Sequence, residues 1–281
     1  MKINIENHKL FSSHLNRKIQ QEDYRYTYLI NVLNLIYNRV IDVDRNSHFL
    51  LENESWLLFI EVNKKSDLNK SIDSIGKHLF IYGNKMNDEL VNQFLDIIDL
   101  KKYSDFEIMG DYDLVYDLLG KNNIRNYVVI KDRIFYKTKR VDAIENGSKI
   151  SIAKNRNINE LIILFGEYYK EEYNNKRNKK REELIGQVQY LISENKLFIY
   201  KENEVIKGFC SIQNSDIGIV FVDLRYRRYG IAKKLVNYCT SKLLLENNMA
   251  YLMTDKNNEA SNRMSVSIGY EAYYKHTNIK L

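Results

Sequence analysis

The segment Val220-Phe221-Val222-Asp223-Leu224-Arg225-Tyr226-Arg227-Arg228-Tyr229-Gly230-Ile231-Ala232 concentrates residue types that hold an anion. An apolar, β-branched run predicts a buried strand, and the arginine-rich stretch after it predicts a loop. Amphipathic spacing from Tyr229 to Glu246 predicts a long helix opened by that loop. The first turn of a helix leaves backbone N–H groups without acceptors and carries the positive end of the helix dipole. Both features favour a phosphate. Gly230 allows a tight bend and a close ligand, and Ala232 keeps the first turn slim. Arg225, Arg227 and Arg228 add donors suited to phosphate oxygens. Together they fit a diphosphate. The short pattern Arg-x-x-Gly-x-Ala occurs often by chance, and a solvated arginine cluster on an ordinary strand–helix turn is the bland alternative.

Two motifs in the right order resemble the GNAT acyltransferase superfamily. The loop is similar to its motif A, Arg/Gln-x-x-Gly-x-Gly/Ala after the fourth strand. Downstream, the segment from Thr254 to Tyr270 is similar to the motif B of one branch, matching at Thr254, Asp255, Asn258, Ser261, Asn262, Ile268, Gly269 and Tyr270. The resemblance implies acetyl-coenzyme A as co-substrate. It places Arg227, Arg228, Tyr229, Gly230, Ile231 and Ala232 around the diphosphate, and Phe221, Val222 and Asp223 along the pantetheine arm. It adds Asn258 and Ser261 to the coenzyme site. It also implies an amine acceptor, small molecule or peptide, that attacks the thioester directly.

Two positions depart from the pattern. Leu224 stands where the family usually has proline, a small loss of stiffness. Ser265 stands where it usually has a tyrosine that protonates the leaving thiolate, and serine is short and weakly acidic. Tyr270, Tyr251 or Tyr229 could stand in for it. For the base, Glu172, Asp223 and Glu171 are candidates, each also readable as a surface carboxylate or a cap. The catalytic set is thus Glu172, Asp223 and Ser265. Tyr168, Tyr169, Tyr173 and Tyr190 would wall an acceptor site, and their rings suit a cationic amine.

These residues need a scaffold. The order β-α-α-β-β-β-α-β-α-β over residues 148–281 predicts a mixed sheet with helices on both faces, an α/β arrangement. Leu197–Lys201 and Val205–Ile212, joined by Glu202-Asn203-Glu204, predict a hairpin. Residues 1–138 read as a smaller α/β domain: a helix within 11–40, strands at 56–62, 78–82 and 105–109, and helices at 87–100 and 112–119. Lys131-Asp132-Arg133 suggests a hairpin turn between 127–130 and 134–136, and residues from Glu271 onward suggest a strand pair. Residues 1–138 contain no Arg-x-x-Gly-x-Gly/Ala between a strand and a helix. The resemblance, which extends upstream to Phe165, Tyr169, Glu172 and the run Leu197–Tyr200, implies a degenerate GNAT-like domain there. Thr138–Ser148, ending in Asn146-Gly147, is the expected boundary.

With 281 residues, 44% of them hydrophobic, the chain can build two packed cores. The net charge of +6, from 43 basic and 37 acidic residues, is scattered and offers no basic stripe for nucleic acid. The densest basic run, Lys176–Arg181, reads as a solvated helix start. Cys210 and Cys239, with five dispersed histidines, make no metal spacing. The same scarcity of cysteine fits a reducing, cytoplasmic setting. No apolar run reaches the roughly 18 residues of a membrane span, and no signal segment is evident. A sensor or scaffold without catalysis is the alternative function, and a homodimer is allowed.

Overall fold

A computed structural model of the chain describes residues 2–4, 19, 23–38, 47–52, 55–62, 77–84, 88–141, 149–175 and 178–281. Contacts sort the chain into two units. The first comprises Met1–Ile134, Asp255–Asn257 and Tyr274–Leu281; the second comprises Phe135–Thr254 and Asn258–Tyr273. Most of the 138–148 segment, where the sequence places a boundary, lies outside the described residues, as do residues 176 and 177 of the basic run.

The first unit holds strands β1 (Lys2–Asn4), β2 (His48–Glu52), β3 (Ser55–Val62), β4 (His78–Asn84) and β5 (Glu107–Asp111). It also holds helices α1 (Thr27–Tyr37), α2 (Asp88–Ile97) and α3 (Tyr112–Lys121). Its strands lie in the order β1-β2-β3-β4-β5, followed by part of the chain's last strand, β12 (Glu271–Lys280). β4 and β5 are parallel, while β1–β2, β2–β3, β3–β4 and β5–β12 are antiparallel. Alternation along β3 sends Trp56, Leu58 and Ile60 to one face and Leu57 and Phe59 to the other. Tyr26 and Leu29 join the first group, and Leu90, Phe94, Leu114 and Leu118 join the second. Both faces are covered, which is why this strand reads as an unbroken apolar run.

Strand β6 (Val128–Thr138) corrects the hairpin expected at Lys131-Asp132-Arg133. The charged triplet stays in the strand because its charges find partners. Asp132 is buried and accepts from the Thr277 hydroxyl at 2.7 Å, and Lys131 pairs with Asp255 at 2.9 Å. The strand pair expected after Glu271 is likewise one strand, β12.

His276 is buried in the first unit, its Nε2 3.0 Å from the Tyr82 hydroxyl and its ring 4.7 Å from that of Tyr28. Burial, with the nearby charge of Arg133, lowers its pKa from 6.5 to about 3. A histidine held neutral contributes stability above pH 6.5. That contribution is lost between 6.5 and about 3, where only the unfolded chain takes the proton. Trp56, the chain's one tryptophan, reports on this unit. Its fluorescence should show a urea midpoint falling from pH 7.5 to pH 5, by an amount worth about 2 kcal/mol, and His276→Phe should flatten that dependence. Equal midpoints at the two pH values would contradict this.

The second unit holds β7 (Ile150–Ile152), α4 (Ile158–Glu172), α5 (Arg181–Ser193), β8 (Leu197–Glu202), β9 (Val205–Gln213) and β10 (Asp216–Val222). α6 (Ile231–Glu246), β11 (Ala250–Asp255) and α7 (Glu259–Ile268) follow. Its strands lie in the order β6-β11-β10-β9-β8-β7. The expected β8–β9 hairpin is present, with Asn203 and Glu204 both at positive φ, 51° and 61°, as a tight hairpin turn requires. Leu161, Phe165 and Tyr169 of α4 and Leu184 and Val188 of α5 pack against Leu197, Ile199, Phe209 and Phe221 of the sheet. The rings of Phe165 and Phe209 stack at 4.2 Å. α6 packs against β9 and β10 and buries Leu235, Val236, Cys239 and Leu243. Cys239 is a packing thiol, its pKa pushed up by burial and by Cys210 beside it. The chain is therefore a mixed α/β protein.

Candidate active site

The site forms where β10 runs into α6. β10 pairs with parallel β11 at Asp216↔Tyr251 and Ile217↔Leu252, and the ladder ends there. Beyond Ile217 the two strands part while β10 continues to Val222 beside β9. The edge of β10 that faces away from β9 is thereby released from pairing. In an antiparallel ladder alternate residues bond to the neighbour. The Asp223 amide donates to Lys207 O at 3.0 Å, so Phe221 and Asp223 face β9, and the backbone of Val220 and the amide of Val222 face the opened edge, the Val222 carbonyl accepting from Arg227. The sequence assigned this edge to Phe221, Val222 and Asp223. Strand phase moves it to Val220 and Val222.

After β10 the chain makes a short turn at Leu224–Tyr226, capped by Asp223. Asp223 is buried and accepts from the Arg225 backbone amide at 2.9 Å. It also accepts from the Arg225 guanidinium at 3.0 Å from Nε and 2.5 Å from Nη2. Arg225 holds this carboxyl below the usual aspartate range. A carboxylate stabilised in that way is a weak base.

Arg227 turns back toward the protein. Its Nε donates to Val222 O at 2.9 Å, and its two Nη atoms reach Glu171 at 3.0 and 2.6 Å, a bidentate pair. The same guanidinium lies 5.4 Å from the centre of the Phe221 ring. Arg227 thus ties the loop to the end of α4. Glu171, a candidate base in the sequence, is consumed as its counter-ion. Arg228 has φ 70° and is exposed, with no carboxylate in ion-pair range among the described residues. Of the three arginines it is the one left to meet an outside anion.

Gly230 follows at φ 74° and precedes the first helical residue, Ile231. No side chain caps this helix start. A Cβ on Gly230 would meet nothing within 4 Å, so the mouth is open. Ile231 packs inward, and the neighbouring Tyr229 is 74% exposed. The uncapped first turn and the exposed Arg228 lie two residues apart in the chain at this mouth.

The remaining site residues separate. Asn258 caps α7, accepting from the Ser261 amide at 3.0 Å, so both act first in holding that helix start. Ser265 is fully buried and donates to Ser261 O at 2.9 Å, the back-bond a helical serine makes with the carbonyl one turn earlier. Tyr270 is also buried, its hydroxyl 2.8 Å from that of Thr240 and its pKa pushed well up by burial. Neither group is set up to deliver a proton. Ser265→Ala should leave kcat within about twofold and cost about 1 kcal/mol of stability; a tenfold fall in kcat would restore Ser265 to the chemistry. Glu172 ends α4, half-buried. Tyr168 stands against Phe221 at 6.3 Å and Tyr169 at 5.1 Å, and Tyr169 and Tyr173 lie nearly parallel at 5.9 Å. The Tyr169 hydroxyl donates to Gln187, and the Lys179 ammonium sits 4.6 Å from the Tyr169 ring centre. Tyr190 lies apart from this group, exposed and beside Lys196.

No metal-binding group of His, Cys, Asp or Glu occurs among the described residues. No described helix is long and apolar enough to cross a membrane.

The family model described as "Acetyltransferase (GNAT) domain" matches residues 167–275. Among solved structures, a GNAT-family acetyltransferase from Colwellia psychrerythraea is similar at 15% identity and a TM-score of 0.54, covering 83% of each chain. A Drosophila protein is similar at 11% identity and a TM-score of 0.50, covering 88% of this chain and 85% of its own. At such identities the likeness is one of fold. No curated protein matches the chain. The span that matches a GNAT acetyltransferase domain, residues 167–275, contains both the parted strands and the open glycine-led helix mouth.

Proposed function

We propose that the second unit transfers the acetyl group of acetyl-coenzyme A to an amine by direct attack. One observation carries this reading: β10 leaves β11 after Ile217 and then runs into an uncapped helix start. That arrangement suits a long ligand with an amide-bearing arm and a diphosphate end. The arm would pair with the backbone of Val220 and the amide of Val222. The diphosphate would meet the amides of Gly230, Ile231 and Ala232 and the side chain of Arg228, with Tyr229 beside it. The amine nitrogen forms a bond to the thioester carbonyl carbon, the carbon–sulfur bond breaks, and the coenzyme leaves as a thiolate that takes up a proton. Holding both reactants in place supplies much of the acceleration. Asp223 and Glu171 are each paired with an arginine; Glu172, at the end of α4, is the carboxylate that the resemblance offers to draw the proton from the amine. The aromatic wall of Tyr168, Tyr169 and Tyr173 suits an acceptor with a cationic amine.

The first unit is assigned no coenzyme. Its own parallel pair, β4 and β5, is joined through α2, whose first turn carries Asp88 and Glu89. Carboxylates at a helix start repel the phosphates that the mouth of α6 would attract. This supports reading residues 1–138 as a GNAT-like half without a coenzyme site.

The test is thiol release from acetyl-coenzyme A across a panel of small and peptide amines. Turnover with any amine supports the proposal. Tight coenzyme binding without turnover across the panel favours the sensor reading, which the burial of Ser265 and Tyr270 motivates. Absence of binding refutes both.

A further inference from the structure

The separation of β10 from β11 has a local cause in β9. Ile212 faces Ile217 and Cys210 faces Val220, so the single residue Ser211 opposes two, Gly218 and Ile219. That is a β-bulge, which bends its strand and sharpens the twist. The extra residue's amide has lost its ladder partner. Ile219 N–H instead donates to the Ser211 hydroxyl at 2.8 Å. Ser211 is buried, and water does not offer an easy substitute. Gly218 makes room for the contact, because a Cβ there would stand 2.7 Å from the hydroxyl oxygen. The bulge begins at the residue where pairing to β11 ends, Ile217.

We propose that Ser211 is a positioning residue: its hydroxyl holds the bulge in β10 and thereby keeps the edge of Val220 and Val222 open for the coenzyme arm. The ligand in this statement rests on the function proposed above, while the hold on the strand does not. Without the hydroxyl, Ile219 N–H has no good partner in the bulged register. β10 then gains by straightening toward β11, which narrows the opening. The side chain touches no reacting atom, so the effect belongs to binding.

The experiment compares the full-length protein with Ser211→Ala, Ser211→Thr and Gly218→Ala. Amide hydrogen exchange at Ile219 reports on the hold, and coenzyme A titration with acetyl-coenzyme A kinetics reports on its consequence. In Ser211→Ala, Ile219 exchange should rise at least about tenfold, coenzyme A affinity should fall about tenfold, and kcat should stay within about twofold while KM for acetyl-coenzyme A rises. Threonine, which keeps the hydroxyl, should restore both readouts. Gly218→Ala pushes the hydroxyl away by another route and should repeat the alanine result, so the proposal stays testable if either variant folds poorly. Unchanged Ile219 exchange in Ser211→Ala overturns the proposal. So does faster exchange with unchanged coenzyme A affinity. If wild type binds no coenzyme A, the function proposed above fails, and Ile219 exchange still decides whether Ser211 holds the strand.

Discussion

Gly230→Glu is expected to weaken acetyl-coenzyme A binding at least about a hundredfold while the protein stays folded. The added carboxylate would project into open space at the start of α6, where the diphosphate is to sit. It would take the first-turn amides for itself, and it would place a negative charge against two phosphates. Helix-start effects are worth up to about 2 kcal/mol and charge-assisted hydrogen bonds about 1.5–3 kcal/mol. A hundredfold change in affinity corresponds to about 2.7 kcal/mol, well within their sum. The left-handed backbone at φ 74° adds roughly 1–2 kcal/mol of strain for any residue with a side chain. Gly230→Ala carries that strain without the charge and separates the two effects. The loop already tolerates such strain at Arg228, φ 70°. Calorimetric titration with coenzyme A, with circular dichroism as the folding control, decides the matter. An affinity within threefold of wild type would remove the diphosphate from this mouth.

The second large effect is expected at Gly208, where β9 lies opposite Val222. A methyl group there would stand 2.7 Å from Phe221 O and 3.2 Å from the Val222 Cα. Both are backbone atoms, so no rotamer change relieves the clash and the end of β10 must shift. Overpacking of this kind costs 1–3 kcal/mol and occasionally more. Gly208→Ala should therefore lose about 3 kcal/mol in urea unfolding followed by circular dichroism. Coenzyme binding should weaken as well, because the displaced segment carries Val222 and leads into the Arg227 loop. A loss below about 1 kcal/mol would mean that the two strands separate easily at this point, contrary to the close backbone approach.

The arginines show how far residue type differs from residue role. Arg225, Arg227 and Arg228 look alike on the chain, and all three were assigned to phosphate. Two of them serve internal carboxylates, Asp223 and Glu171. Glu171 lies one element bundle away in sequence, so no local spacing could announce the pair. Ser211 was missed for a related reason. Its hydroxyl matters only because a bulge frees the Ile219 amide. The one local hint was Gly218, a glycine inside a strand, which often marks such a bulge. Ser265 differs again: motif spacing puts it at a position of interest, while its burial and its bond to Ser261 O depend on packing.

The sequence alone determined what short-range physics controls. Helical and strand periods placed α4 to α7 and β8 to β11 nearly where they are. Asn203-Glu204 set a tight hairpin, and the run from Val220 to Ala232 declared a strand, a basic loop and a slim helix start. Only the tertiary structure decided what depends on partners distant in the chain. It turned Lys131-Asp132-Arg133 into strand, because Asp255 and Thr277 satisfy its charges. It moved the opened edge to Val220 and Val222, because pairing with β9 sets which backbone groups face outward. The division follows from the forces involved. Backbone propensity and turn strain act over a few residues, whereas the fate of a buried charge, hydroxyl or amide is settled by whichever group the fold brings alongside it.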